Sequence, residues 1–240
     1  SSAMNCIIRE AKGDLIAVQD ADDLSHPLRV SKLAAVIQAE DTLGAVFSGY
    51  DIIMDGKRVA PINREKNPDK CKQDILEYRM PSHDPTIMFR KELAQDLWYD
   101  EDLRIGEGLD FILRLGELSE MYVLPDVLYS YRIRQDSLTR YNPKIRDRFV
   151  QRALEKACAR RGKSYNDLFG NSEMHGTADN GLATHFKESV VCQKREGNLL
   201  NALMTALQAV RLRAMDIRYY QAMAYALTPY ALLKMLRRDV

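Results

Sequence analysis

The period at which apolar residues recur changes a little past the middle of the chain. Over residues 1–140 short apolar runs alternate with amphipathic stretches, whereas from Asn142 onward the apolar positions keep helical spacing. Residues 1–12 have that spacing too, without a clear start signal. Leu15-Ile16-Ala17-Val18 is too short for a helix and is set off by Gly13-Asp14, so it predicts a buried strand. Leu28, Leu33, Val36 and Ile37 predict a helix behind Pro27. Ala45 to Met54 is rich in β-formers, and Asp55-Gly56 followed by Arg58-Val59 predicts a hairpin. Asn63 to Asp69 reads as a surface loop, and Ile75, Leu76 and Tyr78 as a short helix ended by Met80-Pro81. A strand over Thr86–Phe89, a helix over Glu92–Leu97 and one or two strands over Met121–Ile133 complete an alternation that predicts an α/β sandwich.

In the second part, Ile145, Phe149, Leu154 and Ala157 define a basic amphipathic helix closed by Arg161-Gly162. Asn171 to Gly181 is poor in apolar residues and reads as a connection. Helices are then predicted over Leu182–Arg195, Leu199–Arg213 and Ile217–Arg238, the last kinked at Thr228-Pro229. Ala202, Ala206 and Ala209 suit close helix packing. The expected organisation is therefore an α/β part at 1–140 and a helical part at 141–240.

Charge sharpens that division. Residues 1–140 hold 18 Lys and Arg against 25 Asp and Glu, and residues 141–240 hold 17 against 9, so a net charge of +1 conceals an acidic part and a basic one. The chain is 46% hydrophobic and 29% charged, enough for a substantial core. No apolar run approaches the roughly 18 residues of a membrane span, and no signal peptide is evident. The 4 cysteines are scattered, which suits reduced thiols and a cytoplasmic chain.

The densest chemistry lies at Leu15–Asp23, LIAVQDADD. Three carboxylates crowd the end of a predicted strand, the edge at which open α/β sheets bind ligands. Crowded carboxylates repel, so a cation, a basic partner or full solvation has to compensate. A hard divalent ion shared with substrate phosphates does so economically; a solvated acidic turn capping the next helix is the other reading.

Flanking residues shift the balance towards the first reading. Asn5, the turn Ala11-Lys12-Gly13-Asp14, the strand, the D-x-D-D run and Pro27-Leu28-Arg29 stand in an order that resembles the family 2 glycosyltransferases of the GT-A fold. The resemblance continues at Asp84-Pro85-Thr86-Ile87-Met88-Phe89-Arg90, at Gly106-Glu107-Gly108-Leu109-Asp110 and at Leu128-Tyr129-Ser130-Tyr131-Arg132. It implies a GT-A sandwich that begins within the domain, lacking its first strands and the P-x-Y-N type turn that cradles base and ribose, followed by a helical extension. The sheet would then carry an unpaired edge that invites self-association.

By the same resemblance the reaction is metal-dependent, inverting transfer from a nucleotide diphosphate sugar to a hydroxyl of a glycan or lipid-linked acceptor, in polysaccharide or surface glycan synthesis. Asp22 and Asp23 would hold Mn²⁺ or Mg²⁺. Asp20 would face the ribose or orient the turn, and Asn5 would supply local hydrogen bonds. Where the family commonly shows Glu-Asp the chain has Glu107-Gly108, which leaves Glu107 as the expected base and Asp110, one turn on, as the alternative. Arg134 stands where relatives often carry a metal-side His and suits the diphosphate instead. His83 and Asp84 are placed on an acceptor-side loop, and Trp98 suits stacking on a sugar face. No nucleic-acid partner is expected, and the basic tail suits peripheral contact with the inner face of an anionic membrane. This 240-residue chain alone is expected to bind donor weakly and transfer no sugar. The alternative is a degenerate, non-catalytic relative that binds a sugar nucleotide or a protein.

Overall fold

The structure, a computed structural model, describes residues 1–54, 56–95, 97–133, 143–170 and 178–236. Its first part is a mixed six-stranded sheet with helices against it. After α1 (Ser2–Glu10) come β1 (Leu15–Ala17), β2 (Leu24–Ser25), α2 (Arg29–Ala39), β3 (Leu43–Met54), β4 (Lys57–Ile62) and α3 (Pro68–Leu76). A 3₁₀ turn at Asp84–Thr86, β5 (Met88–Arg90), a second 3₁₀ turn at Lys91–Ala94, α4 (Glu107–Leu118) and β6 (Glu120–Arg132) complete it.

The strand order is β1-β5-β3-β6-β2. β3 runs parallel to β6 along one edge, while its other edge is shared, β5 pairing antiparallel with its first half and β4 with its second. The sheet is thus mixed, and among the described strands β1 pairs only with β5. β1, β3 and β6 share a direction, so the chain after β1 and the end of β6 meet at one edge of the sheet.

The core beneath that edge is apolar and aromatic. Phe89 and Phe111 lie 5.2 Å apart and Tyr99 stacks on Phe111 at 4.3 Å, all buried with Ile8, Ile16, Ile87 and Leu113. Aromatic contacts of this geometry add roughly 1 kcal/mol each to their burial. They fix α4, the loop before it and β5 against one another.

The helical part contains α5 (Pro143–Arg160), α6 (Tyr165–Phe169), α7 (Ala178–Arg195), α8 (Leu199–Leu212), a 3₁₀ turn at Ile217–Tyr219, α9 (Tyr220–Leu227) and α10 (Tyr230–Leu236). α5 packs on α4, with Leu154 and Ala157 entering the sheet-side core. α7, α8 and α9 form a second core around Phe186, Ala202, Ala206, Ala209 and Tyr219 that also covers Ile52 and Ala60 of the β3–β4 hairpin. The alanine stripe packs as its spacing predicts.

Several expected boundaries move. The polar stretch before Asp69 ends in a helix, because Pro68 fits the first helical position and the Asn67 side chain caps it by accepting from the Lys70 N–H at 3.1 Å. Thr86 belongs to a 3₁₀ turn, so the strand begins at Met88, and the expected Glu92–Leu97 helix is only the turn Lys91–Ala94. Met121–Ile133 is one strand with a register shift near Pro125, since Pro cannot donate to the ladder. The last helix breaks completely at Thr228.

Candidate functional site

The acidic turn after β1 is tied to the rest of the sheet edge by three side chains. Arg29, buried in α2, donates to the carbonyl oxygens of Val18 and Pro85 at 2.7 Å each and to the Gln19 side chain at 3.1 Å. Its guanidinium also lies 4.9 Å from the Tyr129 ring centre. Tyr129 donates its hydroxyl to Asp23 at 2.8 Å and accepts from the Asp20 N–H at 3.2 Å. The third side chain is Asp23 itself, whose other oxygen accepts from the Arg132 N–H at 2.7 Å.

Asp23 therefore corrects the expected metal pair. It is 7% exposed, and both carboxylate oxygens are committed to β6, so it fastens the turn to that strand. Asp20 and Asp22, by contrast, lie on the solvent side. Burial of the turn, then the negative charges of Asp23, Asp22 and Glu107, push the Asp20 carboxyl above the usual carboxylate range. Arg132 brings the cation to this edge, its Nε donating to the Asp22 carbonyl oxygen at 2.9 Å. Arg134, expected in that role, lies outside the described residues.

The wall opposite is built by the Asp84–Thr86 turn and the start of α4. The turn closes with Thr86 Oγ1 donating to the His83 carbonyl at 2.6 Å. Gly106, at φ +80°, supplies the left-handed cap from which α4 departs, a conformation that a side chain disfavours. Glu107 follows, half-buried. Gly108 is buried against the Asp84 carboxylate: a Cβ there would lie 1.6 Å from Asp84 Oδ2 and 2.4 Å from Cγ. Asp84 Oδ1 is sealed from solvent and has no hydrogen-bond partner among the described residues. Burial first, then the charges of Asp20 and Glu107, raise the Asp84 carboxyl to about 7. Asp20, Asp84 and Glu107 thus face one another electrostatically, and among the described residues no cation enters that balance.

Other expected site residues have structural work. Asp110, 2% exposed, is met by Arg114 at 2.7 Å and Arg160 of α5 at 3.2 Å, so it joins two helices. Asn5 donates to the Tyr99 carbonyl at 2.9 Å and to Glu101 at 3.0 Å and accepts from the Tyr99 N–H at 2.7 Å, stapling α1 to the loop before α4. His83 is packed between Tyr50 and Tyr131, each 4.9 Å from its ring centre, and burial lowers its imidazole to about 4. It is thus a neutral aromatic spacer, where a solvated acceptor-side residue was expected. Trp98 is 39% exposed, with the Arg9 guanidinium 5.7 Å over its ring.

Sequence reasoning missed three contributors to the site. Tyr129 and Arg132 lay inside a block noticed only for its pattern, and Arg29 inside P-x-R. A buried Arg in an amphipathic helix is the signal for such a hub, because its charge has to be met by fixed acceptors.

With this geometry in place, residues 1–98 match the family model for glycosyl transferase family 2. The chain is 26% identical over 137 residues to an uncharacterised glycosyltransferase of Methanocaldococcus jannaschii, covering 55% of this chain and 46% of that protein. It is 30% identical over 155 residues to the succinoglycan biosynthesis protein ExoO of Rhizobium meliloti, covering 58% and 43%. It spans less than half the length of either relative. Among solved structures, Staphylococcus aureus TarS overlaps with a TM-score of 0.45 at 15% identity, covering 92% of this chain and 41% of that one, below the level at which a common fold follows. Residues 1–98 are thus similar to glycosyl transferase family 2.

Proposed function

We propose that the protein containing this chain transfers a sugar from a nucleotide diphosphate sugar to a glycan hydroxyl, with inversion at the anomeric carbon. The observation that carries the reading is the meeting of three carboxylates, Asp20, Asp84 and Glu107, opposite a turn whose backbone is locked by Arg29, Asp23 and Tyr129. Such transfer needs an activated acceptor oxygen and a neutralised leaving diphosphate, both held in line. Asp20, at the rim, suits the ribose. Arg132 suits the departing diphosphate. Asn5 acts from behind by fixing the loop that carries Trp98 and Tyr99, and Trp98 suits a sugar face.

The family implies a divalent ion. No group of three His, Cys, Asp or Glu ligands gathers among the described residues. Asp23 is already engaged by the fold, each of its oxygens accepting one hydrogen bond. Asp22, exposed at the strand end, fits an ion held by a single protein carboxylate and by donor phosphates. Bound there, Mn²⁺ or Mg²⁺ supplies charge neutralisation of the diphosphate.

The ExoO relative works in succinoglycan biosynthesis, which favours a polysaccharide product. No helix of the described residues is long and apolar enough to cross a membrane. The exposed Met235 and Leu236 beside Lys234 suit peripheral docking on an anionic membrane. The test of function is turnover by the complete protein. Diphosphate-sugar consumption with acceptor-dependent product supports transfer, and tight donor binding without turnover in every acceptor fraction would leave the degenerate, sugar-nucleotide-binding alternative.

A further inference from the structure

Relatives in this family commonly carry Glu-Asp where this chain has Glu107-Gly108, so the expected carboxylate at position 108 is missing. The structure accounts for the gap. The place that a side chain at 108 would enter is already filled: its Cβ would fall 1.6 Å from Asp84 Oδ2, 2.4 Å from Cγ and 2.9 Å from Oδ1. A side chain at 108 would have to displace the Asp84 carboxylate. A carboxylate is delivered to that volume all the same, from the turn before β5 and not from α4.

We propose that Asp84 is the proton acceptor of the transfer reaction, a catalytic carboxylate relocated from the helix to the facing turn, with Gly108 kept side-chain-free to admit it. The inference rests on the glycosyl-transfer reading and names the base within it. Geometry supports it in three ways. Asp84 is held rigidly, because Pro85 follows it and its backbone oxygen accepts from the Ile87 N–H at 3.1 Å. Its Oδ1 accepts no hydrogen bond among the described residues. The remaining candidates are occupied or less confined: Asp110 is neutralised by Arg114 and Arg160, and Glu107 is half-buried at the helix start.

Its surroundings also set its strength. The groups facing it are Asp20 from the turn after β1, Glu107 from α4 and the Tyr99 phenol from the loop between. On its own element His83 is held neutral near pH 7. Two negative neighbours and burial favour the protonated form, giving a carboxyl that exchanges its proton near neutrality, where general bases work best. In the reaction the acceptor hydroxyl gives its proton to Asp84 as its oxygen bonds to the anomeric carbon. The bond from that carbon to the diphosphate oxygen breaks, and the electron pair leaves with the diphosphate. Asp84 ends as the neutral acid. Glu107 acts as a positioning residue that keeps Asp84 basic.

The test exploits the exclusion between the two positions. In the complete protein, with whichever of a panel of uridine, guanosine and thymidine diphosphate sugars the wild type turns over, Asp84→Ala should lower kcat about a hundredfold or more with little change in donor KM. Gly108→Asp alone should disturb the site through the clash. The double variant Asp84→Ala/Gly108→Asp puts one carboxylate back into the vacated volume and should recover to within about tenfold of wild type. Asp84→Asn keeps the shape and should remain as slow as Asp84→Ala, which separates lost chemistry from lost folding. Glu107→Gln should shift the basic requirement in the kcat/KM profile to lower pH. Asp84→Ala within a few-fold of wild type, or a double variant no faster than Asp84→Ala alone, overturns the assignment. A wild type that turns over none of the panel overturns the transfer reading itself, and the base with it.

Discussion

Two regions around the first turns of α4 treat a carboxylate in opposite ways. At the junction with α5, buried Asp110 is enclosed by Arg114 and Arg160, and Arg160 and Arg161 both reach Glu117 further along α4. On the cleft side, Asp84 lies against Gly108 with no donor on Oδ1 and with Asp20 and Glu107 as its charged neighbours. The first region is balanced and joins elements; the second is left unbalanced within a rigid frame. Imbalance destabilises a fold slightly, and it persists where a ligand or a proton restores the balance.

The largest effect should come from the turn that faces the donor. Asp22→Ala should reduce divalent-dependent turnover of the complete protein by roughly a thousandfold, the scale of a lost charge-stabilising group at a leaving oxygen. Asp23→Asn should lose activity only through stability, because its oxygens hold Tyr129 and Arg132. Equal loss of metal dependence in both variants would show that Asp23 ligates after all.

Next comes the balanced junction. Asp110→Ala leaves Arg114 without its anion while Arg160 keeps Glu117, and loss of one partner from a buried pair costs about 3 kcal/mol or more. Urea unfolding should show this as a lower midpoint with an unchanged slope. If Asp110→Ala instead left stability intact and slowed turnover, the two regions would have exchanged roles.

How far the chain reveals this contrast depends on the range of each interaction. Local patterns placed most elements, since the apolar period and the turn residues act within a few positions. Position 67 shows where local reading stopped short: Asn67 and Pro68 start a helix inside a stretch whose polarity alone suggested a loop. The acidic turn and Glu107 were legible as residue types. Which acid is tied was not, because Asp23 depends on Tyr129 and Arg132 more than a hundred residues away. Asp110 depends in the same way on Arg160 of α5. Gly108 was read as a loss, whereas its meaning lies in contact with Asp84, which no spacing rule links to it.

The mildest effects are pH slopes, and two neighbouring residues should produce opposite ones. Asp84 ionises near 3.8 when unfolded and at about 7 when folded, so the folded state resists its charge. Its contribution to stability is complete below about pH 3.8 and is lost as pH rises through about 7. His83, and His185 of α7 whose Nε2 lies 2.7 Å from the Ala60 carbonyl, behave in reverse. Both are buried neutral, with the imidazole lowered from 6.5 to about 4, so they favour the fold above 6.5 and that contribution is lost as pH falls through about 4. Between about pH 4 and 6.5 the two histidines outweigh the one carboxyl, and the wild type should lose stability towards acid. Asp84→Asn should expose the histidine slope, becoming less stable towards acid. His83→Phe keeps a ring between Tyr50 and Tyr131 and leaves His185 alone against Asp84, so its profile should flatten over that range. Thermal melts of the three proteins at half-unit steps read the difference directly. Parallel profiles for the two variants would mean that Asp84 is balanced by a donor in solution, and the contrast with Asp110 would disappear.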